Sequence, residues 1–245
     1  MFSDYPGNAL MRVSLNEIQT LIFKACISIG LPVGISQDAS QTAGHVFSRH
    51  IGSIQPFADA IFQLDSNSSG PFDAPDAFNG IFRPITTSKA LSSLYTTPTV
   101  CDQILVRNNN CNSHSSIALR NLDIPAVMIF GIMFITRYIG NDVCISWRIE
   151  QNTSINGLCS NGNLIFNRGS FEELYTITNK SVSLDVPNYN SALNHFNTDN
   201  VTSSETLDVD SSTWYLLSEY SERLLVPSSD TSRMTGAGAG TVDTD

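Results

Sequence analysis

The stretch SLNEIQTLIFKACISIG, residues 14–30, limits what this chain can fold into more than any other. Leu15, Ile18, Leu21, Ile22, Cys26 and Ile29 recur at helical spacing and lay one apolar stripe along a helix. Ser14 precedes the stripe and Glu17 follows three residues on, the spacing of a capping box. Gly30 supplies the stop, and Pro32 lies just beyond it. A striped helix must be covered, and the next segments offer the cover. A second helix is expected from Ser36, with Asp38 in its first turn and Ala39, Ala43, Val46 and Phe47 inward. A third, IQPFADAIFQL, has Pro56 near its start and Phe57, Ala60, Ile61 and Leu64 as its core face.

The pattern then changes. DSNSSGPFDAPDAFNG, residues 65–80, is turn chemistry and reads as a boundary or a long excursion. SKALSSLYTT suggests a helical turn or two, and RNNNCNSHSS a polar loop. IPAVMIFGIMFITRYIG, residues 124–140, loses its unbroken apolar run near Ile135, short of the ~20 residues of a membrane-spanning helix. The β-branched Val127, Ile129, Ile132 and Ile135, with Pro125 and Gly131, favour a buried strand instead. Strands are therefore expected at 126–136, 142–150, 162–167, 174–178 and 181–186, joined by links too short for crossover helices. That predicts a mainly antiparallel sheet. Within VCISWRIE the alternation sends Val143, Ile145, Trp147 and Ile149 to one side, with Trp147 as a core residue. A closing helix spans 211–225, capped by Ser211 or Ser212, with Trp214, Leu217, Tyr220, Leu224 and Leu225 on its apolar face.

The expected fold class is α+β: N-terminal helices, a central mainly antiparallel sheet, a C-terminal helix and a Gly/Ala tail. Residues 1–10 show no period and read as a loose arm, or as a start placed early with Met11 the alternative. Residues 11–65 form the helical part. Residues 66–245, with the tail at 230–245, form the mainly β part, both belonging to one compact unit.

Charge narrows the partners. The net charge is −10 and only 15% of residues are charged, so nucleic acid, which needs a basic patch, is not an expected partner. The apolar run argues equally against a membrane. Five cysteines at irregular spacing, without a signal peptide, favour reduced thiols in a cytoplasm, although Cys101 and Cys111 would close a short loop on export. His45 and His50 lie five apart, off the i, i+4 spacing of a metal pair, and His114 and His195 fall in polar loops, so surface or capping roles are expected for all four. Glu172 and Glu173 open a turn and read as solvated. No P-loop, G-x-G-x-x-G, G-x-S-x-G or H-E-x-x-H occurs, so no catalytic residue, metal or cofactor is assigned.

The candidate ligand site lies in the last residues, DTSRMTGAGAGTVDTD. Gly236, Gly238 and Gly240 leave backbone N–H groups free to face an anion, and Ser232 and Arg233 add a hydroxyl and a guanidinium. The bland alternative is a surface tail, since nucleotide loops place their glycines between a strand and a helix. VSLNEI near the start, the Gly30-Leu31 turn, and the closing S-R-x-x-G-A-G-A-G run with its acidic end resemble an uncharacterised proteobacterial family known only as a domain of unknown function. The matched segments cover about a fifth of the chain, in the same order and at the same ends. Members carry a Trp soon after the turn, where this chain has Val33 and Gly34. The resemblance implies a tail that is more than filler, and no activity.

The capped helix, Gly turn and Ala-rich helix are also similar to the N-terminal part of the malate/lactate/sulfolactate dehydrogenases. Those enzymes continue with Ser-His-Gly, where this chain reads SRHIGS, so their catalytic histidine is not carried over. Two functions follow as expectations. One is an accessory protein binding a small molecule or a partner chain. The other is a metabolic enzyme that meets a small anionic ligand at the tail. Homo-oligomerisation through the closing helix is a third expectation.

Overall fold

The computed structural model describes residues 9–49, 53–109, 115–139, 141–150, 153–166, 180–186 and 206–225. The described elements begin with β1 (Leu10–Ser14), α1 (Leu15–Ser28), α2 (Val33–Ser48) and α3 (Gln55–Asp65). The short β2 (Ser69–Gly70), α4 (Ala74–Phe78), β3 (Ile81–Phe82) and β4 (Ala90–Leu91) follow, then α5 (Ser93–Asn109), β5 (Ser115–Leu122) and α6 (Pro125–Ile135). The chain closes with β6 (Val143–Glu150), β7 (Thr153–Ser160), β8 (Asn163–Phe166), β9 (Lys180–Val186), β10 (Thr206–Asp210) and α7 (Ser211–Glu222). The class is α+β.

The capping box of α1 forms in full: the Glu17 N–H donates to Ser14 Oγ at 3.3 Å, and the Ser14 N–H donates to the Glu17 carboxylate at 2.7 Å. Gly30 ends the helix at φ +85°, and the Leu31 N–H donates back to the Cys26 carbonyl at 3.2 Å. Ile18, Leu21, Ile22 and Cys26 of the stripe are buried, with Leu15 and Ile29 at its ends half-buried, and the helix packs against α2 and α7. α2 packs close because Gly44 faces the Gln19 side chain; a Cβ there would lie 2.2 Å from Gln19 Nε2. Ser40 adds a hydrogen bond from its hydroxyl to the Gln19 carbonyl at 2.8 Å.

Four local expectations are corrected. α2 begins at Val33, behind Pro32, and Ser36 is buried one turn inside, donating to the Pro32 carbonyl at 3.0 Å. Residues 10–14, expected as the end of a loose arm and the start of the helical part, are instead a strand that pairs antiparallel with β10. Asp210 caps α7, accepting the Thr213 N–H at 3.1 Å, in place of Ser211 or Ser212. Of that helix's expected apolar face, Leu217 and Tyr220 are buried, while Leu224 and Leu225 are exposed.

The largest correction is residues 126–136, which form the helix α6. Pro125 occupies a first-turn position, where its missing N–H costs nothing. Every residue from Pro125 to Met133 is buried, so the helix carries no amphipathic stripe to distinguish it from a strand. It packs on α2, α3, α5 and β7. The SKALSSLYTT stretch also grows into the whole of α5, 17 residues with Pro98 inside. Pro98 has no N–H to give to the Leu94 carbonyl four residues back.

The eight-stranded sheet runs β2-β4-β5-β9-β6-β7-β8, with β3 beside β5. β9 sits between β5 and β6 and pairs antiparallel with both. That half is antiparallel as expected, although no strand is expected from the sequence at β5 or β7. The other half is parallel: β2 with β4, and β3 and β4 with β5, α5 serving as the crossover. Asn161 and Gly162 both take positive φ in the β7–β8 turn, the conformation a tight hairpin with right-twisted strands needs. Trp147 is buried with Val143 and Ile145, as the alternation implies. One hydrophobic cluster runs from Val13 in β1 to Tyr220 in α7. The expected strand at 174–178 lies outside the described residues.

Candidate functional site

The parallel half of the sheet sets the site, because β4 leads into α5 and β5 into α6 side by side. Asp123 joins the two starts: its Oδ1 accepts the Ser93 N–H at 2.8 Å and the Ile124 N–H at 2.6 Å. Burial pushes this carboxyl up, against the pull of those N–H groups. Anchored there, α5 and α6 run together so tightly that a Cβ on Gly131 would lie 2.2 Å from Thr97 Cγ2.

Where α2 crosses this pair, a cavity of about 280 Å³ opens. Phe57 of α3, Leu94 of α5 and Val127 of α6 wall it with buried apolar surface. Cys101 contributes a thiol that burial holds well above its ordinary pKa, so it stays protonated. Thr42 of α2 is 5% exposed, lines the cavity, and has no hydrogen-bond partner among the described residues. The charged lining is acidic only: Asp38 of α2 and Asp102 of α5, both exposed. Neither is in an ion pair among the described residues. Partial burial, and then the charge of Asp102, hold the Asp38 carboxyl above the usual range. Tyr138, also exposed, completes the lining beside Phe134.

Behind Phe134 stands His45, its ring 5.6 Å away. The expectation of a surface or capping role for His45 is corrected: it is 5% exposed, inside a cluster. Arg137 can only donate, so the 3.4 Å contact from its Nη1 makes His45 Nδ1 the acceptor. The proton is then on Nε2, which donates to the Gly162 carbonyl at 3.3 Å. Arg49 reaches the same turn, donating to Asn163 Oδ1 at 2.9 Å. Burial first, and the charges of Arg137 and Arg49 after it, lower the His45 pKa to about 4. The imidazole is a neutral strut tying the β7–β8 turn to α2.

The tail residues Ser232, Arg233, Gly236, Gly238 and Gly240 lie outside the described residues, as do His50, His114, His195, Glu172, Glu173 and Cys111. The structure therefore brings none of the expected ligand residues into the cavity. Asp38 was legible only as a first-turn acid, and Asp102, Thr42 and Cys101 carried no signal. They sit on two helices about sixty residues apart, and no spacing in the sequence joins them. Cys26, Cys101, Cys144 and Cys159 are free thiols. Among the described residues no His, Cys, Asp and Glu side chains gather for a metal, and no helix is long and apolar enough to cross a membrane.

The chain matches no protein-family model and no curated protein sequence. Its fold is similar to that of a dehydrogenase from Sinorhizobium meliloti, with TM-score 0.55 and 9% identity, covering 87% of this chain and 100% of that one. A malate dehydrogenase from Entamoeba histolytica is similar at TM-score 0.53 and 8% identity, covering 90% of this chain and 100% of that one. A sulfolactate dehydrogenase from Methanocaldococcus jannaschii matches more weakly, at TM-score 0.44 and 11% identity, over 65% of this chain and 51% of that one. At these identities the likeness is one of fold.

Proposed function

We propose that this chain is an accessory, small-molecule-binding protein of the cytoplasm whose ligand occupies the cavity between α2, α5 and α6. The observation that carries the reading is the cavity itself: about 280 Å³ open to solvent on one side, with mostly apolar walls and a few convergent polar groups. Such a volume is close to the ~300 Å³ at which ligand pockets begin. The kinship at both ends with the uncharacterised proteobacterial family belongs to the same proposal, as does a homo-oligomer built on α7.

The dehydrogenase-like fold favours a second reading, a metabolic enzyme holding an anionic substrate at Ser232, Arg233, Gly236, Gly238 and Gly240. Thermal unfolding separates the two. The full chain, a chain ending at Asp230, and Leu105→Trp, which fills the cavity, are each melted with nucleotides, 2-hydroxy acids, phosphorylated metabolites and small aromatic compounds. A ligand at a hundred times its Kd adds about 2.7 kcal/mol, or roughly 5–10 °C at this size. Cavity binding raises Tm in the full and shortened chains and leaves Leu105→Trp unmoved. Stabilisation confined to the full chain, with turnover lost in Arg233→Ala, would favour the enzyme. Flat melts for all three forms would sink both readings.

A further inference from the structure

The cavity has a charge selectivity that its apolar walls do not suggest. Its two ionisable carboxyls, Asp38 and Asp102, come from different helices and face the same opening. They are close enough for the charge of one to act on the other, and no Lys, Arg or His lines the cavity. Arg137 does not line the cavity, although its guanidinium carbon lies 5.7 Å from the Tyr138 ring centre; its Nη1 is 3.4 Å from His45 Nδ1. Two like charges left facing each other without a cation cost free energy that a bound cation would recover. Thr42, a residue 5% exposed, also lines the cavity, and its hydroxyl has no hydrogen-bond partner among the described residues. Tyr138, 68% exposed, offers an aromatic ring at the rim, a surface that favours ammonium groups. Most of the remaining buried lining is hydrocarbon, with Thr97 and the Cys101 thiol among it.

We propose that the cavity is a site for small organic cations, an ammonium group set between Asp38 and Asp102 with a hydrocarbon body against Phe57, Leu94 and Val127. The inference rests on the cavity being a ligand site and adds the class of ligand. At ~30 Å³ per water, about 280 Å³ matches roughly nine waters, the bulk of an arylalkylamine of some nine non-hydrogen atoms. The ligand has the opposite sign to the anion expected at the tail, so the two sites do not compete for one compound.

The test uses three probes of nearly one shape with the full chain: 2-phenylethylamine, 2-phenylethanol and phenylacetate, titrated by calorimetry at low salt. The amine is expected to bind about fivefold or more tighter than the alcohol, a margin set by two partly exposed charges, and phenylacetate weakest. Raising the salt should shrink that margin. In Asp38→Asn/Asp102→Asn the amine should fall to within about twofold of the alcohol, whose own affinity stays put. Both side chains are exposed, so the variant should keep the wild-type circular dichroism, and with the repulsion between the two carboxylates removed its melt should be equal or slightly higher. An alcohol that binds as well as the amine, or a phenylacetate that binds better, overturns cation selection and leaves the cavity as a ligand site. If none of the three binds, and Leu105→Trp gives the same flat titrations, the cavity reading falls and this proposal with it.

Discussion

His45 is a case where one residue's chemistry is decided by partners 92 and 117 positions away. Its place on α2 is plain in the sequence, but the arginines around it are brought together by folding alone. Unfolded, this imidazole takes up a proton below about pH 6.5; folded, only below about 4. Between those values the unfolded chain binds the extra proton, so stability falls as the pH falls through that window. Wild type should therefore lose Tm between pH 6.5 and 4.5 relative to His45→Gln, which keeps a neutral donor and acceptor. Asp38, Asp59 and Asp123, whose carboxyls are raised mainly by burial, act with the opposite sign, so the difference between the two proteins is the quantity to follow. Parallel curves would show that His45 is not held neutral.

At the scale of elements, α6 shows why an apolar run misleads. β-branched residues cost a helix only a few tenths of a kcal/mol each, and burial on every side outweighs that. Gly131 argued for a strand in the sequence; in the structure it is the point where α5 and α6 touch. Gly131→Ala gains up to about 1 kcal/mol of helix propensity but forces a Cβ into Thr97, an overpacking cost of about 1–3 kcal/mol. The net expectation is a loss of about 1 kcal/mol, read from urea denaturation. Thr97→Ser removes the clashing Cγ2 and keeps the hydroxyl that donates to the Ser93 carbonyl at 2.7 Å. Gly131→Ala in that background should be neutral or stabilising. A loss of equal size in both backgrounds would mean that the Thr97 contact is not the cause.

Across the whole molecule, the two ends of the described chain are fastened together by β1 and β10. The Ser211 N–H donates to the Ala9 carbonyl at 3.0 Å, so the pairing continues past the Met11 start that the sequence suggests. A chain beginning at Met11 loses that bond and the Leu10–Asp210 pair, a cost of about 0.5–1.5 kcal/mol. A chain beginning at Leu15 also loses buried Val13, worth about 1.5–3 kcal/mol, and the Ser14 cap, worth about 1 kcal/mol. Calorimetric melts should thus separate the two by roughly 5–15 °C. Near-identical melts would show that β1 contributes little to the fold.

The sequence by itself determined what depends on near neighbours. The Ser14–Glu17 box, the Gly30 stop, the inward faces of α1 to α3 and the alternation that buries Trp147 are all written within a few residues. The tertiary structure alone decided the rest. It placed β9 between β5 and β6, turned the apolar run at 125–135 into a central helix, and joined Asp38 to Asp102 across a cavity. Those outcomes depend on which surfaces meet and exclude water, and chain order does not encode that in any short stretch.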